Sequence, residues 1–440
     1  MIVKNVFIFV LYTLSIFVGI VPEIWSEMNW SLGTLHEQLA VPPDHITPRV
    51  YFGASVALSD QFAIIGAKKD NQIVKNGGSA YIYEKNDVNE WILVKKIVGS
   101  NNNKNDYLGI SVGLAGNFAF AGANSYSMNE NSSLGIVYVY QRQNDGEWMQ
   151  TQTLIPEAID STHNFGCSIA AYNTQLIVGA YGNTKESGKA FFFELEGNQW
   201  ILRQCLEPKT PDIKGRFGNA VDIYDDYIIV GAYVGFDGKG VVYIFQKMEG
   251  IWKQIELFES PSPDYNTLFG YDVAINDQYA IVGSKGEYKD DMRNVGAVYV
   301  YQNKENSWEF MSKLSEPDLN IDDKFGVSID INGDILAVSG TKMDSDIEDS
   351  GAVNIYRIKK NQFTLLKRIT AQSAQTVMLY GSALKMYKNM VLIGAEGYKN
   401  NDYPIGGAYF YTLDSSEPFG SDGVLGLDDI VRFLQIMTSQ

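Results

Sequence analysis

Seven times along the chain an aromatic residue or a leucine is followed by glycine, and fourteen residues after the first of the pair stands a second small residue. The first markers are Phe52, Leu108, Phe165, Phe217, Phe269, Phe325 and Tyr380, spaced 52 to 57 residues apart. The second markers are Gly66, Gly122, Gly179, Gly231, Gly283 and Gly394, with Ser339 the one exception. The offset never varies. A fixed period of this length means one supersecondary unit per copy, so the stretch "YFGASVALSDQFAIIGA" (51–67) is a structural tile and not a lone phosphate-binding loop.

Each unit continues with a glycine that opens a small-aromatic-aliphatic run, such as "GSAYIY" at Gly78 or "GAVYVY" at Gly296. A fourth run begins at Trp91, Trp148, Trp200, Trp252, Trp308 or Phe363, always 17 residues before the next marker. Four short runs rich in Val, Ile, Tyr and Phe, separated by Asn, Asp, Gly and Lys, are strands and turns. The expected fold is all-β: a seven-bladed β-propeller of four-stranded antiparallel blades. The seventh unit stops after its third strand, where Ser415, Ser416, Glu417 and Pro418 replace a Trp run. A ring left open there would expose two long edges. Counting 17 residues back from Phe52 reaches Leu35, so the strand Leu35 to Val41 is expected to complete the last blade.

The spacing also separates two faces. Turns between strands one and two are minimal in every copy, whereas the segments between strands two and three and between blades vary in length. Variable polar loops on a rigid scaffold are where binding is expected.

The formal net charge of −17 argues against binding a phosphate backbone, so no nucleic-acid partner is expected. Residues 1–26 resemble a secretory signal, with an apolar run from Val6 to Val21. The alternative is an uncleaved anchor, the one route by which a membrane would be involved, and for that the run is slightly short. A propeller over 27–413 and a tail over 414–440 follow. Two cysteines are too few for a disulfide scaffold, and Cys167 and Cys205, on inner and outer strands of one blade, would stand about 14 Å apart. Both are expected to be unpaired and buried. Asn29 and Asn131 begin glycosylation sequons.

These copies closely resemble FG-GAP repeats, the variety in which "FGxSVAL", "VGA", "GxAYVY" and a Trp strand follow in order. The resemblance covers about Leu35 to Tyr411. It implies a seven-bladed propeller, placement outside the cytosol as a secreted or surface protein and, through kinship with the N-terminal head of integrin α subunits, a role in adhesion or ligand binding. Integrin-like copies carry a calcium loop before the second strand. Here that turn is a few residues long, and its nearest approach, Asp330, Asn332 and Asp334, is too short to wrap an ion needing six to eight oxygens.

Two sets of carboxylates stand out. Asp344, Asp346, Glu348 and Asp349 fall in the variable loop of unit six, and Asp322 and Asp323 in the crossover entering it. Calcium is the candidate ligand for this set, against the plainer reading of solvated loop charge. No cofactor is otherwise implied. Asp222, Asp272 and Asp330 replace small residues on three consecutive inner strands, facing the channel or, for Asp330, capping a turn. "PFGSDGVLGLDDIVRFLQIM" in the tail resembles half an EF-hand, with Pro418 and Gly420 where ligands belong; the plainer reading is a capped C-terminal helix. His36, His45 and His163 form no catalytic or zinc pattern. The expectation is a monomeric, non-enzymatic module that binds an extracellular protein or glycan through its variable-loop face. The alternatives are a glycan-cleaving enzyme using channel carboxylates and a matrix or cell-wall scaffold element.

Overall fold

A computed structural model describes residues 36–43, 49–101, 103–127, 134–156, 164–182, 187–212, 215–262, 264–305, 307–344, 347–401 and 403–413. Residues 1–26, read above as an expected signal, together with Asn29, His45, Asn131, His163, Asp346 and residues 414–440, lie outside them. All described strands fall in one compact unit, Thr34–Ser415.

Strands follow one another in sheets of four, giving seven antiparallel blades. Blade one holds Phe52–Leu58, Phe62–Ala67, Ser79–Lys85 and Trp91–Ile97. Blades two to six repeat this order with inner strands Ser111–Ala115, Phe165–Tyr172, Ala220–Tyr224, Phe269–Ile275 and Ile329–Asn332. Blade seven begins with Tyr380–Tyr387 and Met390–Ala395; its third strand, Gly407–Thr412, pairs with the N-terminal strand His36–Ala40, and Leu39 stands opposite Tyr409. The early segment therefore closes the ring as its spacing implies.

The core lies between blades. Ile64 and Ile82 of blade one pack with Ala119, Tyr138 and Trp148 of blade two, and each junction described repeats this scheme. A ring on one blade meets the tryptophan of the next: Phe62 with Trp148 at 5.2 Å, Phe118 with Trp200 at 5.6 Å, Tyr227 with Trp308 at 5.3 Å, and, across the closure, Phe410 stacked on Trp91 at 4.7 Å. Edge-to-face and stacked pairs add to the area they bury. The 13% aromatic content is thus spent on wedging sheets together.

The marker glycines have two separate causes. Gly53 sits at φ +85°, and the Ala54 N–H donates to the Tyr51 carbonyl at 3.3 Å. This is the geometry of a turn whose third position demands positive φ. Gly66 is required by proximity: a Cβ there would stand 2.1 Å from the Gly109 carbonyl oxygen of the next blade.

Two short elements lie in the variable loops and have no counterpart in the repeat. A single helical turn, Gly235–Gly238, follows the second strand of blade four, and a small ribbon, Lys399–Asn400 with Tyr403–Pro404, follows that of blade seven. Both cysteines are free, but they are half-buried and not buried as expected. The Cys167 side chain forms part of the central channel wall and its thiol donates to the Gly218 carbonyl at 3.2 Å, while Cys205 stands on an outer strand. Burial pushes both thiols up to about 11.

Candidate functional site

Inner strands from all seven blades surround a central channel of about 650 Å³. Asp222, Asp272 and Asp330 line it on blades four to six, joined by Lys385 on blade seven. Each carboxylate reaches the following blade. Asp222 accepts the Ile275 N–H at 3.0 Å, Asp272 the Ile329 N–H at 2.9 Å, and Asp330 the Met386 N–H at 2.6 Å. Asp330 also accepts from the Lys385 ammonium at 2.6 Å. Asp330 therefore caps no turn; its side chain crosses to blade seven. Burial pushes the Asp222 carboxyl up, and Asp272 up to about 6, although backbone amides pull the latter down. Burial alone would lower Lys385, but the Asp330 and Asp222 carboxylates hold it above the ordinary lysine range. On three blades these groups brace the channel wall.

On the variable-loop side of the ring a backbone device recurs, and three of its residues, Arg216, Lys324 and Leu379, line the channel. The residue before each marker is Tyr51, Tyr107, Asn164, Arg216, Leu268, Lys324 or Leu379, and all seven adopt φ between 54 and 58°. Left-handed backbone is uncommon for residues other than glycine, Asn and Asp, and its recurrence here shows that the turn imposes it. The residue sixteen after each marker, leaving the second strand at the same end, is Lys68, Asn124, Tyr181, Tyr233, Lys285, Thr341 or Glu396.

Across blades three to six these positions, with Tyr271 of the fifth inner strand, form an arc of cations set against rings. The Arg216 guanidinium lies 5.5 Å from the Tyr181 ring and 5.3 Å from the Tyr233 ring, and donates to the Tyr233 hydroxyl. Tyr233 meets Tyr271 edge-on at 5.5 Å. The Lys285 ammonium sits 3.2 Å from the centre of Tyr271. Burial, and then the nearby Lys324, bring Lys285 down to about 7; burial first, with Tyr233 and Asp272 adding to it, pushes Tyr271 up to about 12. Among the described residues, Arg216, Lys285 and Lys324 have no carboxylate at ion-pair distance. The anion at this rim, Glu396, is held by Lys68 at 2.7 Å.

The acidic loops of blade six are organised differently. Asp323 is buried, accepts the Asn320 N–H at 2.6 Å and is pushed up to about 6 by burial. Asp322 accepts from the Asn294 amide at 2.7 Å. Asp344 accepts the Asp349 N–H at 3.0 Å, and Asp349 pairs with Lys342 at 3.3 Å. Glu348 is exposed. The two loops do converge, since Asp344 and Asp323 repel each other, but Arg368 stands among them, bound to Asp318 at 2.7 Å and to the Asp344 carbonyl at 3.4 Å. Among the described residues no group of three or more His, Cys, Asp or Glu side chains is arranged to hold a metal ion.

Residues 41–83, 148–193, 263–301 and 308–356 each match the FG-GAP repeat family. The chain is an FG-GAP repeat propeller. The unmatched copies keep the same spacing and fold into blades of the same kind. None of the curated proteins matches the chain. Among solved structures, a crystal structure of a protein from Lactobacillus plantarum is similar at 13% identity and a TM-score of 0.49, over 73% of this chain and 86% of that one. A likeness that loose carries no argument about this FG-GAP propeller.

Sequence reasoning singled out the channel carboxylates but missed Lys385, Arg216, Lys285 and Lys324. The available signal was positional: all four occupy sites where the seven copies disagree, directly before a marker, five residues after it or sixteen after it.

Proposed function

We propose that the protein is an extracellular recognition module, of the adhesion or ligand-binding kind, that engages its target with the variable-loop face over the channel mouth and catalyses no reaction. The observation that carries this reading is the arc of Arg216, Lys285 and Lys324, three cations without carboxylate partners in a chain of net charge −17. Burying or crowding charge without an internal partner is unfavourable, and an external ligand relieves it. The arc shares its end of the ring with the seven loops of variable length. The carboxylates that a hydrolytic alternative needs are each engaged by a backbone amide of the following blade, which favours bracing over catalysis.

A binding screen of the full chain against extracellular proteins and glycans tests this. Binders should be lost when Arg216 and Lys324 are replaced by Gln together with the neighbouring loops, and retained when the opposite face is altered in the turns at Asp60 and Asn173. Binding that follows the opposite pattern overturns the proposal.

A further inference from the structure

Resting on the reading above, we infer that the channel mouth takes a carboxylated oligosaccharide, its acid groups meeting Arg216, Lys285 and Lys324 and its sugar rings lying against Tyr181 and Tyr271. The channel volume of about 650 Å³ falls in the range of sites that enclose a small organic ligand. Arg216 lies beside the Tyr181 ring and Lys285 beside the Tyr271 ring, and both tyrosines line the channel half-buried. A chain of acidic sugars likewise sets a charged group beside each flat ring. An acidic peptide would satisfy the cations but bring no flat rings to the tyrosines. Arg216 offers a planar fork suited to a carboxylate, while Lys285 and Lys324 act as point charges. The chain as a whole carries a net charge of −17, so a cluster of cations at the mouth stands out against its surroundings and favours an anionic ligand there.

Lys285 gives this site a proton signature. Its neighbours are Lys324, the Tyr271 ring, Glu396 and Asp272, of which Glu396 is paired with Lys68. An arriving carboxylate restores the charged ammonium, so binding takes up a proton above pH 7. Asp272 titrates near 6, so between pH 7 and 9 it stays ionised and does not confuse the measurement.

The test is calorimetric titration of the full chain with oligogalacturonate, with its fully methyl-esterified form and with oligoglutamate of matched charge. The acid sugar should bind and the ester should not. Affinity should fall as salt rises and as pH rises from 7 to 9. Arg216→Gln and Lys324→Gln should each weaken binding about tenfold with unchanged thermal unfolding, and Lys285→Met should abolish the proton uptake. Absence of oligogalacturonate binding, equal binding of the ester, or binding indifferent to Arg216→Gln and Lys324→Gln together would overturn the inference, as would oligoglutamate binding at least as tightly. The broader proposal falls separately, since it is tested by the face on which any ligand from the screen is held.

Discussion

Residue 66 is glycine because a neighbouring blade stands where its side chain would be, and the obstacle is backbone, which cannot swing aside. The same approach recurs at Gly122, Gly179, Gly231, Gly283 and Gly394, each within 2.2 Å of a carbonyl oxygen of the following blade once a Cβ is added. Gly66→Ala should therefore cost about 3 kcal/mol, as overpacking against an unyielding partner does. Gly197→Ala, where no atom lies within 4 Å and only a φ of +62° opposes the side chain, should cost about 1 kcal/mol. Urea unfolding of the two variants checks the ordering, and equal costs would refute the close-approach account. Ser339 shows how one exception is absorbed. Its hydroxyl donates to the Ser328 carbonyl and accepts the Ser328 N–H, and Ser328 then accepts from Leu384 of blade seven. Elsewhere the serine at that position donates to the next marker glycine, as Ser55 does to Gly109 at 2.9 Å and Ser111 to Gly166 at 2.7 Å. The markers were legible in the sequence because they are constant. The arc of Arg216 and Lys285 was not, because the two come from positions where the copies disagree, and nothing local in the chain announces that such positions share one rim.

Between elements, the outer strands are held by side chains that imitate a peptide. The Gln204 amide donates to the Trp252 carbonyl at 2.8 Å and accepts the Trp252 N–H at 2.9 Å. Gln152 does the same to Trp200, and Gln38 to Trp91 across the closure. In blade four the position is Glu256, which accepts from the Trp308 backbone, and in blade one it is Lys95, which instead pairs with Glu147 at 3.9 Å. Replacing Gln204 by Leu should cost about 1–2 kcal/mol by leaving two backbone groups without their partner. Chemical denaturation measures it, and a neutral Gln204→Leu would mean that water replaces the clasp without loss. A glutamine four residues after the tryptophan stands in two outer strands, as Gln152 and Gln204, while Gln38 comes three residues after the inferred start of the closing strand and so breaks the pattern. Its meaning was hidden because the partner is a backbone 48 residues further on, and sequence patterns do not record backbone partners.

For the whole molecule, the seam between blades seven and one uses the devices of the other junctions. Phe52 and Gly406 form the same parallel bridge as Leu108 with Gly78, Ser382 donates to the Gly53 carbonyl at 3.2 Å, and Lys68 pairs with Glu396. The added feature is the early strand His36–Ala40, whose five residues pair with Ala408 to Thr412. Removing residues 1–40 should uncover that edge and produce concentration-dependent association, seen as rising mass by light scattering. A truncated chain that stays monomeric and equally resistant to heat would show that the third strand of blade seven closes the ring unaided.

The left-handed residue in front of each marker is held by the main chain of its turn, so its side chain is free to be anything. Three such sockets, holding Arg216, Lys324 and Leu379, give onto the channel. A change of one codon can thus rewrite what the opening attracts while the masonry behind it stands untouched.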